Sequence, residues 1–397
     1  MGRNCRKAGE GIHVGFINRA HLSIIKLMLI GIDCRLWNQT GVGRYTRNLV
    51  QRLEEIDKHN EYILFFRQED KKEFKIQNLK FKIQTADFAW HSLEEQIDFP
   101  RLLGKYSLDL MHFPYFSVPL FYKKPYVVTI HDLIVNKFST GKASTLPYFL
   151  YRLKRVGYKI VVSNALKNAK KIITPSNAVK QDILQNYKNI NSEKIDVTYE
   201  GGIEQISKLR ALNLELPKGK YILRVGNFYP HKNIETLLSA FKSFSISFPD
   251  FKLVLVGKKD FFYKKIEKQI ELLEIKRSVE FIENPQDSLL FSLYKNATAT
   301  VVPSFMEGFS LTAVEAMGVG CPLIVSDISV HREICGNSAL FFDASEKEEL
   351  TLALTEIVRN NKIREELIKK GRTQAKKYSW GKMAEQTLTI YTSINSA

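Results

Sequence analysis

From Leu133 to Gln181 the chain contains no aspartate or glutamate. The same window carries ten basic residues: Lys137, Lys142, Arg152, Lys154, Arg155, Lys159, Lys167, Lys170, Lys171 and Lys180. Cysteine is scarce throughout. Four in 397 residues, Cys5, Cys34, Cys321 and Cys335, are too scattered for a disulfide framework and lack the spacing of a metal site. Cys34 and Cys321 fall in apolar runs and read as small core residues, so a reducing cytoplasm is the simplest compartment. No stretch reaches the roughly 18 apolar residues of a membrane span. The nearest, "GFINRAHLSIIKLMLIGID", is interrupted by Arg19, His21 and Lys26, and no small-residue cleavage site follows it. Residues 1–26 therefore read as a poorly ordered leader, with Met28 an alternative start. Low-complexity tracts are missing as well. With 44% hydrophobic and 25% charged residues, the balance is that of a soluble packed protein.

What is present starts with charge and length. Fifty-nine Lys+Arg against 42 Asp+Glu leave a net charge of +17, which favours anionic partners: nucleotides, nucleic acid or an anionic membrane surface. A chain of 397 residues exceeds one ordinary core, so two domains are expected. Short Val/Ile/Leu-rich runs alternate with helical patterns. "LMLIGID" (27–33), "YILFF" (62–66), "LDLMHF" (108–113), "YVVTIHD" (126–132) and "KKIITPS" (170–176) read as strands of a first half. "YILRVGN" (221–227), "KLVLVGK" (252–258), "SVEFIE" (278–283), "ATVVPS" (299–304) and "PLIVSD" (322–327) read as those of a second. Continuous apolar strands between helices predict parallel sheets covered on both faces. The alternation restarts near residue 220, after the linker candidate "SKLRALNLELPKGK" (207–220). The expected fold class is α/β: two doubly wound, Rossmann-like domains facing across a cleft, with ligands at the C-terminal ends of the strands.

Four motifs fall at such ends. "GIDCRLWNQTGVGRYTRNLV" places Gly41, Val42 and Gly43 between the first strand and a helix beginning near Arg44. Glycines there let backbone approach a ligand beside a helix N-terminus with free N–H groups; a plain flexible turn is the alternative. The pattern is not G-x-G-x-x-G, which weakens a dinucleotide reading. "LRVGNFYPHKNIETLL" repeats the theme with Gly226, Asn227 and a helix that Asn233 could cap and Glu235 favours. Lys232 would point a charge where an anionic phosphate could sit; the alternative is a solvated surface lysine. "YVVTIHDLI" ends a strand with His131 and Asp132. His131 could donate to a ligand hydroxyl or be a core histidine bonded to backbone. In "SFMEGFSLTAVEAMGVGCP", Glu307-Gly308-Phe309-Ser310 forms a turn and Ser310 is a candidate N-cap, so the N–H groups from Gly308 to Leu311 would face the cleft. Glu315, among Val, Ala and Met on that helix, needs a polar partner. Vicinal hydroxyls of a ribose would satisfy both its oxygens, unless it lies on an outward face.

Taken together these stretches resemble the retaining GT-B glycosyltransferases of family 4. "EGFSLTAVEAMGVGCP" fits the pattern E-G-F-x-L-x-x-x-E-A-M-x-x-G-x-P, joined by "VGNFYPHKN", "TIHD", "GVGRY", "ITPSNAVKQDI" and "EICGNSALFFD", and the matches run from Leu29 to Trp380. The resemblance implies a GT-B fold: an acceptor-binding domain over 27–206, a nucleotide-sugar-binding domain over 207–375, and a C-terminal helix within 376–397 packing back on the first. It implies that Glu315 binds the donor ribose and Glu307 holds sugar hydroxyls. Gly226, Asn227, Gly308, Phe309, Ser310 and Leu311 would line the donor, and Lys232 would neutralise the diphosphate. His131 would contact the transferred sugar, with Gly41, Val42, Gly43 and Arg44 beside the diphosphate or acceptor. His131, Lys232 and Glu307 are thereby the catalytic candidates. One departure is Asn227, where many relatives carry a basic residue. Arg224 alternates away on its strand, so Lys232 would bear more of the phosphate charge. The implied chemistry is retaining, metal-independent hexosyl transfer with no cofactor, the GDP- or UDP-linked sugar being a substrate and its leaving diphosphate helping to deprotonate the acceptor. "VGNFYPHKN" and "TIHDLI" resemble polysaccharide mannosyltransferases, which implies mannose from GDP-mannose.

The acid-free window adds a second expectation. Tyr148, Phe149, Tyr151 and Tyr158 are interleaved with its basic residues, a composition suited to an anionic lipid interface. Each Lys or Arg near such a surface contributes about 1 kcal/mol. The alternative is a solvated basic face. Attachment there would place the protein on the inner face of the cytoplasmic membrane, with a lipid-linked acceptor for a surface polysaccharide or glycolipid. The rival readings are a nucleic-acid-binding protein, which would need a groove-reading or stacking motif that is not seen, a catalytically silent sugar-nucleotide scaffold, and a sugar-nucleotide epimerase.

Overall fold

The computed structural model describes residues 27–72, 74, 78–137, 148–202 and 215–395. The expected leader, residues 138–147 of the basic window and residues 207–214 of the linker candidate lie outside the described residues.

Two parallel sheets form the molecule. The first contains β1 (Leu29–Asp33), β2 (Glu61–Phe66), β3 (Phe81–Thr85), β4 (Leu110–Phe113), β5 (Tyr126–Thr129), β6 (Lys171–Thr174) and β7 (Ile195–Val197), in the order β3-β2-β1-β4-β5-β6-β7. The second contains β8 (Lys220–Val225), β9 (Phe251–Gly257), β10 (Val279–Glu283), β11 (Ala299–Val302), β12 (Leu323–Ser326) and β13 (Leu340–Phe342), in the order β10-β9-β8-β11-β12-β13. Around the first run α1 (Thr40–Ile56), α2 (Leu93–Gly104), the short α3 (Ile134–Lys137), α4 (Tyr148–Asn168) and α5 (Asn177–Asn186). Around the second run α6 (Ile234–Ser247), α7 (Phe261–Leu272), α8 (Asp287–Asn296), α9 (Leu311–Val319), α10 (Ser329–Cys335), α11 (Lys347–Arg359) and α12 (Asn361–Ala375); α13 (Trp380–Asn395) follows.

The apolar runs are strands because both faces of each sheet are covered. Every residue of β4, β5, β11 and β12 is buried, as expected of central parallel strands. The expected two-domain α/β architecture is the observed one. Three strands were not legible as such: β3 and β7 edge the first sheet and β13 edges the second, and each is short or half-exposed. The first helix also starts earlier than expected, at Thr40 rather than near Arg44, so Gly41, Val42 and Gly43 sit in its opening turn.

Each sheet reverses its winding once, between β1 and β4 and between β8 and β11. Ligands of doubly wound sheets bind at such switch points, outside the C-terminal strand ends. The helices leaving those strands are α1 from β1, α6 from β8 and α9 from β11.

The last helix does not stay with the second sheet. Trp380, Met383, Ala384, Ile390 and Tyr391 of α13 are buried with Met28, Ile30, Trp37 and Leu49 of the first. The Tyr391 hydroxyl bonds His112 Nδ1 on β4 at 2.5 Å, and His112 Nε2 bonds Thr129 Oγ1 on β5 at 2.8 Å. The outward and return crossings of the chain touch each other. A Cβ on Gly201 would lie 2.4 Å from the Trp380 nitrogen, and the Trp380 indole donates to the Gly202 carbonyl at 3.0 Å. A further tie is Glu333 of α10, which accepts from the N–H groups of Asn177 (2.7 Å) and Ala178 (2.9 Å). These open α5, where a carboxylate complements the helix dipole.

Candidate active site

The strand ends of the two sheets enclose a cleft of about 2440 Å³. Its walls include Gly41, Val42 and Arg44 of α1, and His131 and Asp132 after β5. From the second sheet come Gly226, Asn227 and Lys232 after β8, and Glu307, Gly308, Phe309, Ser310, Leu311 and Glu315 after β11. Gly43 alone among the candidates is not on the wall. A Cβ there would sit 2.3 Å from the Trp37 carbonyl, so Gly43 serves the close turn into α1, whereas Gly41 faces open space.

Two carboxylate–cation pairs dominate the cleft. Lys232 Nζ reaches both Glu307 oxygens, at 2.8 and 2.7 Å, and Ser304 donates to Oε1 at 2.7 Å. Burial pushes the Glu307 carboxyl up, but Lys232, with His331 and the Ser304 hydroxyl, outweighs it and holds the group at about 2. The second pair crosses between the sheets. Arg44 of α1 meets Glu315 Oε1, and Tyr294 of α8 donates to Oε2 at 2.9 Å. Glu315 is buried, and Oε1 has no aligned hydrogen bond besides that ion pair.

His131 is half-buried, with both nitrogens engaged: Nε2 with the Pro114 carbonyl at 2.9 Å, Nδ1 with Glu200 Oε1 at 3.1 Å. Donation to a ligand hydroxyl therefore requires one of these contacts to yield. Burial raises the neighbouring Asp132 carboxyl above its ordinary range, and burial together with Lys232 lowers His231 to about 4. Across the cleft Gly308 packs on the His131 carbonyl so closely that a Cβ would lie 1.9 Å from it, and Ser176 donates to the Gly308 carbonyl at 2.7 Å.

Both capping expectations are corrected. Asn233 and Ser310 do precede α6 and α9, but both are left-handed (φ 55° and 74°) and neither side chain caps. Asn233 Nδ2 instead donates to the carbonyls of Pro303 (3.0 Å) and Ala344 (2.7 Å), while Ser310 Oγ is buried without a partner. Two helix N-termini thus lie beside the cleft without side-chain caps, each a natural place for an anion.

The matches to known families follow this division. The family described as glycosyltransferase family 4 matches residues 39–201, and that described as glycosyl transferases group 1 matches residues 205–374. The chain belongs to the family 4, group 1 glycosyltransferases. It is 30% identical over 238 residues to the O-antigen chain mannosyltransferase RfbU of Salmonella typhimurium, a match spanning 59% of this chain and 65% of that one. It is 26% identical over 375 residues to the O-antigen chain mannosyltransferase B of Escherichia coli, covering 89% and 96%. Its fold resembles that of Anabaena Alr3699/HepE in complex with UDP and glucose, with a TM-score of 0.71, 17% identity, and 92% and 100% of the chains covered. The fold of this glycosyltransferase is GT-B.

Three residues in the wall or behind it, Arg224, Glu200 and Tyr294, had no site role in the sequence reading. Arg224 was expected to alternate away, yet it lines the cleft. Its guanidinium folds beneath the turn, donating to the carbonyls of Gly226 and Asn227 and lying 5.0 Å over the Phe228 ring. Burial pushes its pKa down to about 9. An arginine inside the apolar run "YILRVG" was the available signal. Glu200, beside "GG", was a weaker one, and Tyr294 had none, because it reaches Glu315 only through packing of α8 on α9. Among the described residues no group of three or more His, Cys, Asp or Glu is placed to hold a metal ion, and no helix is long and apolar enough to cross a membrane.

Proposed function

We propose that this glycosyltransferase moves a hexose, with retention, from a nucleotide-sugar donor to a lipid-linked surface polysaccharide or glycolipid acceptor, mannose from GDP-mannose being the preferred donor. The observation that carries the reading is the pairing of two carboxylates, Glu315 buried and Glu307 largely so, with two cations in one cleft at both switch points, beside two helix N-termini without side-chain caps. Carboxylates suit sugar hydroxyls, while cations and helix ends suit phosphates. The cleft also exceeds the ~300–1,000 Å³ of an ordinary small-molecule pocket, which supports two substrates side by side. The mannosyl preference draws on the printed activities of the two O-antigen relatives.

In this scheme Glu315 takes the ribose hydroxyls, Glu307 the hexose hydroxyls and His131 the hexose edge. Lys232, Arg44 and the N–H groups of the Gly308–Leu311 turn face the diphosphate. As the glycosidic C–O bond breaks, charge gathers on the departing phosphate oxygen, and donors fixed before the reaction stabilise it without reorganisation. That oxygen accepts the acceptor's proton, so transfer proceeds on one face of the hexose and needs no cofactor or metal.

Membrane attachment is part of the proposal. α4 exposes Leu153, Val156 and Ile160, with fractional exposures of 54%, 56% and 53%, at the spacing of one helical face. The exposed Arg152, Lys154 and Lys159 lie among them, a pattern that favours an anionic interface. Flotation with phosphatidylglycerol vesicles tests it: salt-sensitive binding, lost in Leu153→Asp/Ile160→Asp, is expected, and binding that ignores both would refute it.

The donor is tested by nucleoside diphosphate release from a panel of GDP-, UDP-, TDP- and ADP-sugars, with membrane extract as acceptor. Turnover of one donor by the wild type and its loss in Glu315→Ala is the expected result. Silence across the panel, with no binding by calorimetry, would overturn the assignment.

A further inference from the structure

The charged groups assigned to the donor are, in this fold, bonded to each other. Glu315 is 2% exposed, among Ala313, Val314, Ala316 and Met317, which are also buried. A carboxylate so placed requires a compensating charge or hydrogen bonds. Tyr294 supplies one bond to Oε2, and Oε1 has only Arg44. Arg44 comes from the opposite wall, and its other acidic neighbour is Asp287.

We propose that nucleotide binding is a partner exchange at Glu315: ribose hydroxyls replace Arg44 on the carboxylate, and the released guanidinium turns to the diphosphate. This rests on the nucleotide-sugar reading above. Oε1 is buried with Arg44 against it, and a hydroxyl that takes the guanidinium's place there leaves the guanidinium without its main counter-charge. A nucleoside brings hydroxyls but no anion for Arg44. Pyrophosphate brings an anion but no hydroxyls for Glu315. Only a ligand carrying both, at the spacing of a nucleoside diphosphate, leaves neither charge uncompensated. Arg44 is therefore a specificity-determining residue: it excludes ligands that fill half of the site. Lys232 and Glu307 repeat the arrangement in the same cleft, where the β-phosphate and hexose would separate them.

The test is calorimetry with GDP and UDP, each beside its nucleoside, on the wild type and Arg44→Met. The wild type is expected to bind one diphosphate at least 100-fold more tightly than the matching nucleoside. In Arg44→Met the two affinities should move in opposite directions: the nucleoside tightens fivefold or more, because Glu315 has lost its resident partner, and the diphosphate weakens tenfold or more. Arg44→Gln keeps a hydrogen-bond donor for Oε1 without the charge, guards against misfolding, and should give the same signs. A nucleoside affinity that is unchanged or weakened in both variants, with diphosphate binding intact in the wild type, would overturn the exchange alone. Binding of neither diphosphate by the wild type would overturn the nucleotide reading and the exchange with it.

Discussion

Lys232 and Glu307 are held together at both carboxylate oxygens, so each stabilises the fold while poised for a ligand. The pair is 18% and 11% exposed, so breaking it should cost less than the ~3–5 kcal/mol of a fully buried pair. Lys232→Met is expected to lower unfolding free energy by about 2 kcal/mol, read by urea denaturation, and to reduce turnover at least 100-fold. The pH dependence has a definite sign. The Glu307 carboxyl sits at about 2 when folded, below its value in an unfolded chain. Its stabilising contribution is therefore complete above the ordinary carboxylate range and fades as pH falls toward 2. In Lys232→Met the folded value moves up towards the unfolded one, so that acid-side loss should shrink. The roles read for Glu307, Glu315 and Lys232 came from an ordered pattern of residues along the chain. Their pairing did not, because Lys232–Glu307 joins residues 75 apart and Arg44–Glu315 joins opposite sheets. Local spacing carries no record of such contacts.

At the scale of elements, central strands were legible because burial on both faces demands unbroken apolar runs, as in "YVVT" and "LIVS". Edge strands answer to weaker demands, and β3, β7 and β13 passed unnoticed for that reason. Helix starts misled in an instructive way. Asn233 and Ser310 are good capping residue types, but a left-handed residue turns its side chain away from the N–H groups it would bond. Ser310→Ala should therefore change unfolding free energy by under about 0.5 kcal/mol, less than the ~1 kcal/mol of an ordinary N-cap. Asn233→Ala should cost about 2 kcal/mol, because one buried and one part-buried carbonyl lose their donor. Urea midpoints for the two variants, measured side by side, decide it; equal losses would contradict the capping geometry.

For the molecule as a whole, the seam between α13 and the first sheet is one acid-sensitive part. His112 is fully buried between Tyr391 and Thr129, and burial lowers it to about 3. Its folded value lies below that of the unfolded chain, so the unfolded state binds the extra proton and stability falls as pH drops below the ordinary histidine range. At pH 5 the penalty from His112 is about 2 kcal/mol. The urea midpoint should fall between pH 7 and pH 5, and His112→Gln should flatten that fall. Gly201→Ala is expected to be more severe at neutral pH, since its Cβ would strike the Trp380 backbone, and circular dichroism melting would register the loss.

That contact between the two crossings also has a mechanical meaning. Lobes joined by one flexible tether can slide, twist and separate. Lobes joined twice, at points that touch each other, behave like covers on a single spine. The Gly308–His131 contact then acts as the fore-edge where the covers meet. Any widening reduces to one angle about the Gly201–Trp380 pin, so the gap between donor and acceptor walls cannot be adjusted at one end of the cleft without moving the other.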